Sequence, residues 1–172
     1  MRPSDPIAKS GADRPAPLGR VLGTDDAARR ELPMTADGDG YHRVSTSAAP
    51  HGTRYRYRLG GPDGDLLPDP TSRWQPEGVF GPSEVVDPRQ YRWHDAGWTG
   101  VRLTGQVITE IHIGTFTPEG TWQAARERLP LLADVGITLI EVMPVSTFPG
   151  RFGWGYDGVF PFAPTPQYGT PD

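Results

Sequence analysis

Hydrophobic and polar positions alternate most sharply at RYRYRL, Arg54 to Leu59. Tyr55, Tyr57 and Leu59 fall on one face and Arg54, Arg56 and Arg58 on the other, the period of a half-buried strand. GGPDGD follows at once, and its glycines, proline and aspartates favour a hairpin. Arg20–Leu22 and Tyr41–Thr46 have weaker strand character, with DGDG (Asp37–Gly40) as a turn between segments. Strands at this spacing suggest an antiparallel β-sandwich over residues 21–70. Residues 1–20 are rich in Pro, Ala, Gly and charge and follow neither period, so they read as disordered or irregular.

From residue 71 to 105 the pattern changes. PDPTSRWQPEGVFGPSEVVDP carries too many prolines for a helix or a central strand. It reads as an ordered connector, with Trp74, Phe80, Tyr91, Trp93 and Trp98 as anchors against a neighbouring domain. From residue 106 to 172 the pattern becomes α/β. VITEIHIG (Val107 to Gly114) alternates and is β-branched, which predicts a strand; TFTPEG reads as a loop. Thr121 suits a helix N-cap, and Trp122, Ala125, Leu129 and Leu132 recur at helical spacing. Gly136 suits the position just past the helix end, and Pro130 inside it predicts a mild kink. ITLIEVMPV (Ile137 to Val145) is a second, more continuously apolar strand. Strand, helix, strand is a βαβ unit with parallel strands and a right-handed crossover. Two parallel strands need neighbours and cover on both faces. The expectation is therefore an incomplete, truncated (β/α)8 barrel start, since a closed barrel takes about 200 residues or more.

Composition narrows the function classes. The net charge is −4 and there is no basic block, which argues against a nucleic-acid partner. The absence of cysteine excludes disulfides and thiolate metal sites. His42, His51 and His94 stand in segments read as loops, without metal spacing, so no metal or other cofactor is expected. No HExxH or P-loop motif occurs; GWGYDG (Gly153–Gly158) matches G-x-G-x-x-G in letters alone, and its glycines are read as satisfying turns rather than cradling a phosphate. Lys9 is the only lysine beside 16 arginines, a skew that fits GC-rich coding. No stretch has signal-peptide character, and no run approaches the roughly 20 apolar residues that span a bilayer. A cytoplasmic protein without a membrane partner is the expectation.

Three segments taken together, EIHIGTFTPEGT, MPVSTFPG and WGYDGV, resemble the α-amylase superfamily, glycoside hydrolase family 13, and within it the malto-oligosyltrehalose trehalohydrolase family. LPDPTSRWQPEGVFGPSEVVD resembles the same family's connector, so the likeness covers roughly residues 54–172. Glycogen branching enzymes share the WGY and the AP…YG but not the FTPEGT or FPGR segments. Thr109 stands where the family usually carries Tyr. The resemblance implies an N-terminal immunoglobulin-like, starch-module sandwich followed by a catalytic (β/α)8 barrel. It implies hydrolysis of the α-1,4 bond next to the terminal trehalose of maltooligosyl trehalose, releasing trehalose in trehalose biosynthesis. A retaining Asp nucleophile and Glu acid/base on later barrel strands are implied beyond Asp172. None can be placed in this chain, which is expected to be inactive alone and to need the remainder of the barrel as its partner. The alternatives are a non-catalytic α-glucan-binding module, a branching-enzyme-like fragment, or a degraded product without a stable fold.

The stretch RFGWGYDGVFPFAPTPQYG, Arg151 to Gly169, follows the second strand, where barrel loops build active sites. Sugars present flat C–H faces to aromatic rings and hydroxyls to polar tips, and Tyr and Trp offer both. By the resemblance, Tyr156 is the tyrosine that stacks under the sugar at the cleaved bond; the other reading is a loop-packing Tyr. Trp154 reads equally as a sugar contact or a loop anchor. Asp157 either bonds a sugar hydroxyl or, preferably, stabilises the turn before Gly158. His112 either points into the cleft or, preferably, is satisfied inside the barrel. Glu110 and Glu141 are read as structural rather than as a glycosidase pair.

Overall fold

The computed structural model describes residues 30–37 and 39–171, and the backbone of residues 8–9 and 18–22. Its first part is built of short antiparallel strands. They are β1 (Ala8–Lys9), β2 (Leu18–Leu22), β3 (Arg30–Pro33), β4 (Thr35–Ala36), β5 (Tyr41–Arg43), β6 (Arg54–Arg58), β7 (Leu66–Leu67) and β8 (Ser83–Glu84). One sheet runs β3-β2-β6-β7, with β8 pairing β6, and a second runs β1-β5-β4. The alternation at RYRYR determines which face is buried. Tyr55 and Tyr57 enter a core with Met34, against which Val44, Leu59 and Val85 pack. The arginines point the other way and each finds a partner. Arg54 bridges Glu84 at 2.7 Å and Glu77 at 3.0 Å, Arg58 bridges Glu31 at 2.9 Å, and Arg56 donates to the Phe80 carbonyl at 2.8 Å.

A buried polar knot fastens β6 to the chain that follows. The Tyr55 hydroxyl donates to Asp69 Oδ2 at 2.6 Å, and Asp69 is only 2% exposed. Its Oδ1 accepts from the Thr71 N–H and from the Thr71 hydroxyl, both at 2.8 Å. The Asp69 N–H donates to Ser83 Oγ at 2.9 Å, which ties β8 to the same knot. A carboxylate buried this deeply survives because it accepts several hydrogen bonds.

Several sequence expectations are corrected here. Residues 1–20 are not irregular throughout: Ala8–Lys9 pairs with β5, and Leu18–Leu22 pairs with β3 and β6. The remainder of that segment lies outside the described residues. The span expected as a connector supplies a strand, β8, to the main sheet. Of its five aromatic anchors only Trp74 is buried; Phe80, Tyr91, Trp93 and Trp98 are exposed. Trp74 lies where β8 closes on the sheet, and its carbonyl accepts from Glu84 N–H at 3.0 Å. His42 is buried on β5, within the segment Tyr41–Thr46 that had weak strand character, and not in a loop as its metal-site reading took it.

The second part begins with β9 (Ile108–Ile111), shorter than the span VITEIHIG. The chain turns into helix at His112, giving α1 (Ile113–Phe116) where the strand end and a loop were expected. Helix α2 (Trp122–Asp134) then leads to β10 (Leu139–Val142), parallel to β9 with Leu139 beside Ile108 and Val142 beside Ile111. Thr121 caps α2 by accepting the Ala124 N–H at 3.3 Å. At the other end Gly136, with φ +92°, donates to the Ala133 carbonyl, and Ile137 donates to Leu132, the paired bonds that close a helix in the left-handed conformation. Ile111, Ile113, Ala125, Phe148 and Tyr168 form the core of this part.

Candidate functional site

Beyond β10 the chain forms a hairpin that no sequence period announced. Strand β11 (Ser146–Thr147) pairs antiparallel with β12 (Phe160–Pro164), and a turn of 3₁₀ helix, Pro166–Tyr168, follows. The Thr147 hydroxyl, 1% exposed, donates to the carbonyls of Ala163 and Pro164 at 3.0 and 3.1 Å. The segment from Phe148 to Val159 is thereby held at both ends as a loop on the C-terminal side of β10.

That loop carries three of the four sequence-derived site residues. Trp154 is 85% exposed and Tyr156 74% exposed, with Phe152 beside them. The Arg151 guanidinium stands 5.2 Å from the Phe152 ring centroid, a cation–π distance. Asp157 Oδ1 accepts the Trp154 N–H at 3.1 Å, a bond that runs back across the loop. The fourth residue, His112, is half-buried at the end of β9 below the loop. Its ring lies edge-on to Tyr168 at 5.9 Å, with Nε2 3.4 Å from the tyrosine oxygen. Burial, and then the Asp157 charge, raise the Tyr168 pKa above its ordinary value.

The glycines of this loop do more than turn the chain. Gly155 has φ +91°, and a Cβ there would stand 2.7 Å from Met143 Cε and 3.4 Å from His112 Cδ2. Gly153 has no such φ; a Cβ there would meet three Phe148 ring atoms at 2.6–2.7 Å. Tyr168, Phe148 and Gly153 were absent from the sequence-derived site. The only signal for them was the density of glycines among aromatics, which does not say which ring each glycine faces.

Glu110 and Glu141 sit side by side in the parallel register, both exposed on the strands. A cavity of about 270 Å³ flanks the loop, lined by Glu77, Phe80, Phe148, Pro149, Thr165 and Gln167, and neither Trp154 nor Tyr156 lines it. Among the described residues, no cluster of three or more His, Asp or Glu is grouped to hold a metal ion.

No protein-family model matches the chain. Over 153 residues, 89% of this chain, it is 45% identical to the malto-oligosyltrehalose trehalohydrolase of Deinococcus radiodurans, of which the match covers 24%. The malto-oligosyltrehalose trehalohydrolase of Rhizobium sp. is 55% identical over 117 residues, 68% of this chain and 20% of that protein. A second group of the α-amylase superfamily stands further off: the 1,4-alpha-glucan branching enzyme GlgB 1 of Xanthomonas axonopodis is 39% identical over 135 residues, 70% of this chain and 19% of that protein. Among solved structures, a putative alpha amylase from Salmonella typhimurium superposes with a TM-score of 0.84 at 45% identity, over 96% of this chain and 27% of the other. A pullulanase from Anoxybacillus sp., solved with maltotetraose, shares the fold at 20% identity, with a TM-score of 0.78 over 98% of this chain and 29% of its own. The chain thus spans about a quarter of the length of the trehalohydrolases it matches. Among the described residues, no helix is long and apolar enough to cross a membrane.

Proposed function

We propose that this chain is the part of a trehalohydrolase-type glycoside hydrolase that presents an α-glucan to the cutting groups. The two antiparallel sheets are its immunoglobulin-like sandwich, which takes β8 (Ser83–Glu84) from the segment leading to the second part. Elements β9 to β10 are the first βαβ unit of a (β/α)8 barrel. The loop after β10 is then a barrel-mouth loop, with Tyr156 as a platform under a glucose ring and Trp154 as a flanking contact. Asp157 holds the turn between them. The reaction of the whole enzyme, on this reading, is hydrolysis of the α-1,4 bond that joins a terminal trehalose to a maltooligosyl chain.

The observation that supports this reading best is the exposure of Trp154 and Tyr156 on a loop whose backbone is fixed from below. Exposed aromatics on an ordered loop offer apolar ring faces with a polar tip, which suits a sugar. The maltotetraose bound by the distant pullulanase agrees with an α-glucan ligand for this fold. Asp157 Oδ1 accepts a backbone N–H, and Glu110 and Glu141 lie exposed on the strands. Titration of the 172-residue chain with maltotetraose and with maltooligosyl trehalose tests the binding step. Saturable heat or tryptophan fluorescence change is expected, lost in Tyr156→Ala, with no trehalose released; flat titrations or turnover by this chain refute the reading.

A further inference from the structure

Three rings stand in a row beneath the loop. Phe148 and Tyr168 have centroids 6.0 Å apart, and Tyr168 and His112 are 5.9 Å apart with planes at 78°. Tyr168 is 4% exposed and belongs to the core with Phe148 and Ile113. It arrives from the 3₁₀ turn after β12, whereas His112 comes from β9 and Phe148 from the start of the loop. The row therefore joins three distant pieces of chain at one place. Gly114 allows it to close: a Cβ there would lie 2.8 Å from Tyr168 Cε1 and 3.1 Å from His112 Cε1.

The loop backbone rests on this row at two points. Gly153 lies against the Phe148 ring, and Gly155 against His112 and Met143. Trp154 and Tyr156 alternate with these two glycines, so each exposed ring is flanked by a seated residue. The polar edge is consistent with this arrangement. Asp157 accepts the Trp154 N–H at 3.1 Å and its charge is felt by the Tyr168 hydroxyl. Close-packed interiors tolerate little displacement, so a loop resting on such a row has one height above it.

We infer that Gly153 and Gly155, with the Phe148–Tyr168–His112 row, are positioning residues that hold Trp154 and Tyr156 as a preformed surface for an α-glucan. This rests on the glucan-platform reading above, and it adds that the surface is in place before the ligand arrives. Preformed sites lose less conformational entropy on binding than loops that must order.

The contact at Gly153 supplies a specific test, because its φ lies outside the left-handed region and the three atoms nearest a Cβ there all belong to the Phe148 ring. In the wild-type chain, ¹⁵N relaxation is expected to give the amides of Trp154 and Tyr156 order parameters near about 0.85, the range of rigid backbone. Gly153→Ala should lower them towards about 0.6 and weaken maltotetraose binding roughly tenfold, about 1.4 kcal/mol, through the loop. Adding Phe148→Leu, which makes room for the new methyl group, should restore both. A role confined to stability would move the melting temperature and leave the relaxation pattern alone. Should Gly153→Ala alone not fold, Phe148→Leu compared with Gly153→Ala plus Phe148→Leu carries the test: the first should loosen the loop and the second restore its order and the affinity. A mobile wild-type loop, or substitutions that leave loop order and affinity unchanged, would overturn the inference. Loop order that responds as expected while maltotetraose never binds would leave the seating intact and refute the glucan reading.

Discussion

Tyr55 and Asp69 show how much depends on a single buried contact. Removing the hydroxyl in Tyr55→Phe takes one hydrogen bond from the buried Asp69, and an under-satisfied buried charge costs about 1–3 kcal/mol or more. The urea midpoint of this variant is expected to fall accordingly. The same site predicts alkaline sensitivity. Burial, and then the Asp69 carboxylate, push the Tyr55 pKa well above its ordinary value near about 10, and burial pushes Tyr57 the same way. The folded state therefore keeps protons that the unfolded state releases. This stabilisation is complete below about pH 10 and declines as pH rises above it. Urea midpoints taken from neutral to alkaline pH should fall beyond that point, and less steeply in Tyr57→Phe. Gln75 gives the opposite case. It is 0% exposed and neither end of its amide has a hydrogen-bond partner among the described residues. Exchanging it for an apolar side chain of similar length, Gln75→Met, is expected to leave stability unchanged or raise it, and the same urea titration decides.

Among the elements, α2 is the one whose ends are written most plainly in the chain. The Thr121 hydroxyl satisfies one of the open N–H groups of the first turn. Thr121→Ala should therefore cost about 0.5–2 kcal/mol, read from the chemical denaturation of the far-UV helix signal. Gly136 at the other end has φ +92°, where a side chain crowds the carbonyl, so Gly136→Ala should cost about 1–2 kcal/mol in the same experiment. Both ends were legible because capping uses residues within a few positions of each other. The end of β9 was not. His112 to Phe116 winds into α1, with the Phe116 N–H donating to the His112 carbonyl at 2.9 Å, although IHIG reads as strand by alternation. Ile113 keeps the apolar position that the strand pattern required, but it meets the second core from a helix.

Across the whole molecule, large apolar side chains stay in water. Trp93 and Trp98 are 70% and 71% exposed, and Val101, Leu103, Ile108, Val142 and Leu131 are exposed as well. Single exposed residues of this kind are ordinary, but a concentration of them marks an interaction surface or a tendency to associate. The average mass seen by sedimentation velocity should therefore rise with chain concentration. Trp93→Ser with Trp98→Ser should reduce that rise without changing the fold.

The sequence by itself determined what depends on near neighbours. Alternation at Arg54–Arg58 set the buried face of β6, and helical spacing with its two caps set α2. The order strand, helix, strand gave the parallel pair β9 and β10, and the run of rings from Phe152 to Tyr156 marked the candidate site. Periods of 2 and 3.6 are local properties, and capping residues act within one turn. Only the tertiary structure decided which aromatics are inside. Trp74 is buried while Trp93 is not, because β8 returns to pair with β6 and closes over the first, whereas no described element covers the second. It also decided that Thr147 and Phe160 pair across a hairpin, and that Gly153 is small on account of the Phe148 ring. These facts follow from contacts between segments far apart in the chain. Excluded volume and hydrogen-bond satisfaction between distant segments leave no period in the residues themselves.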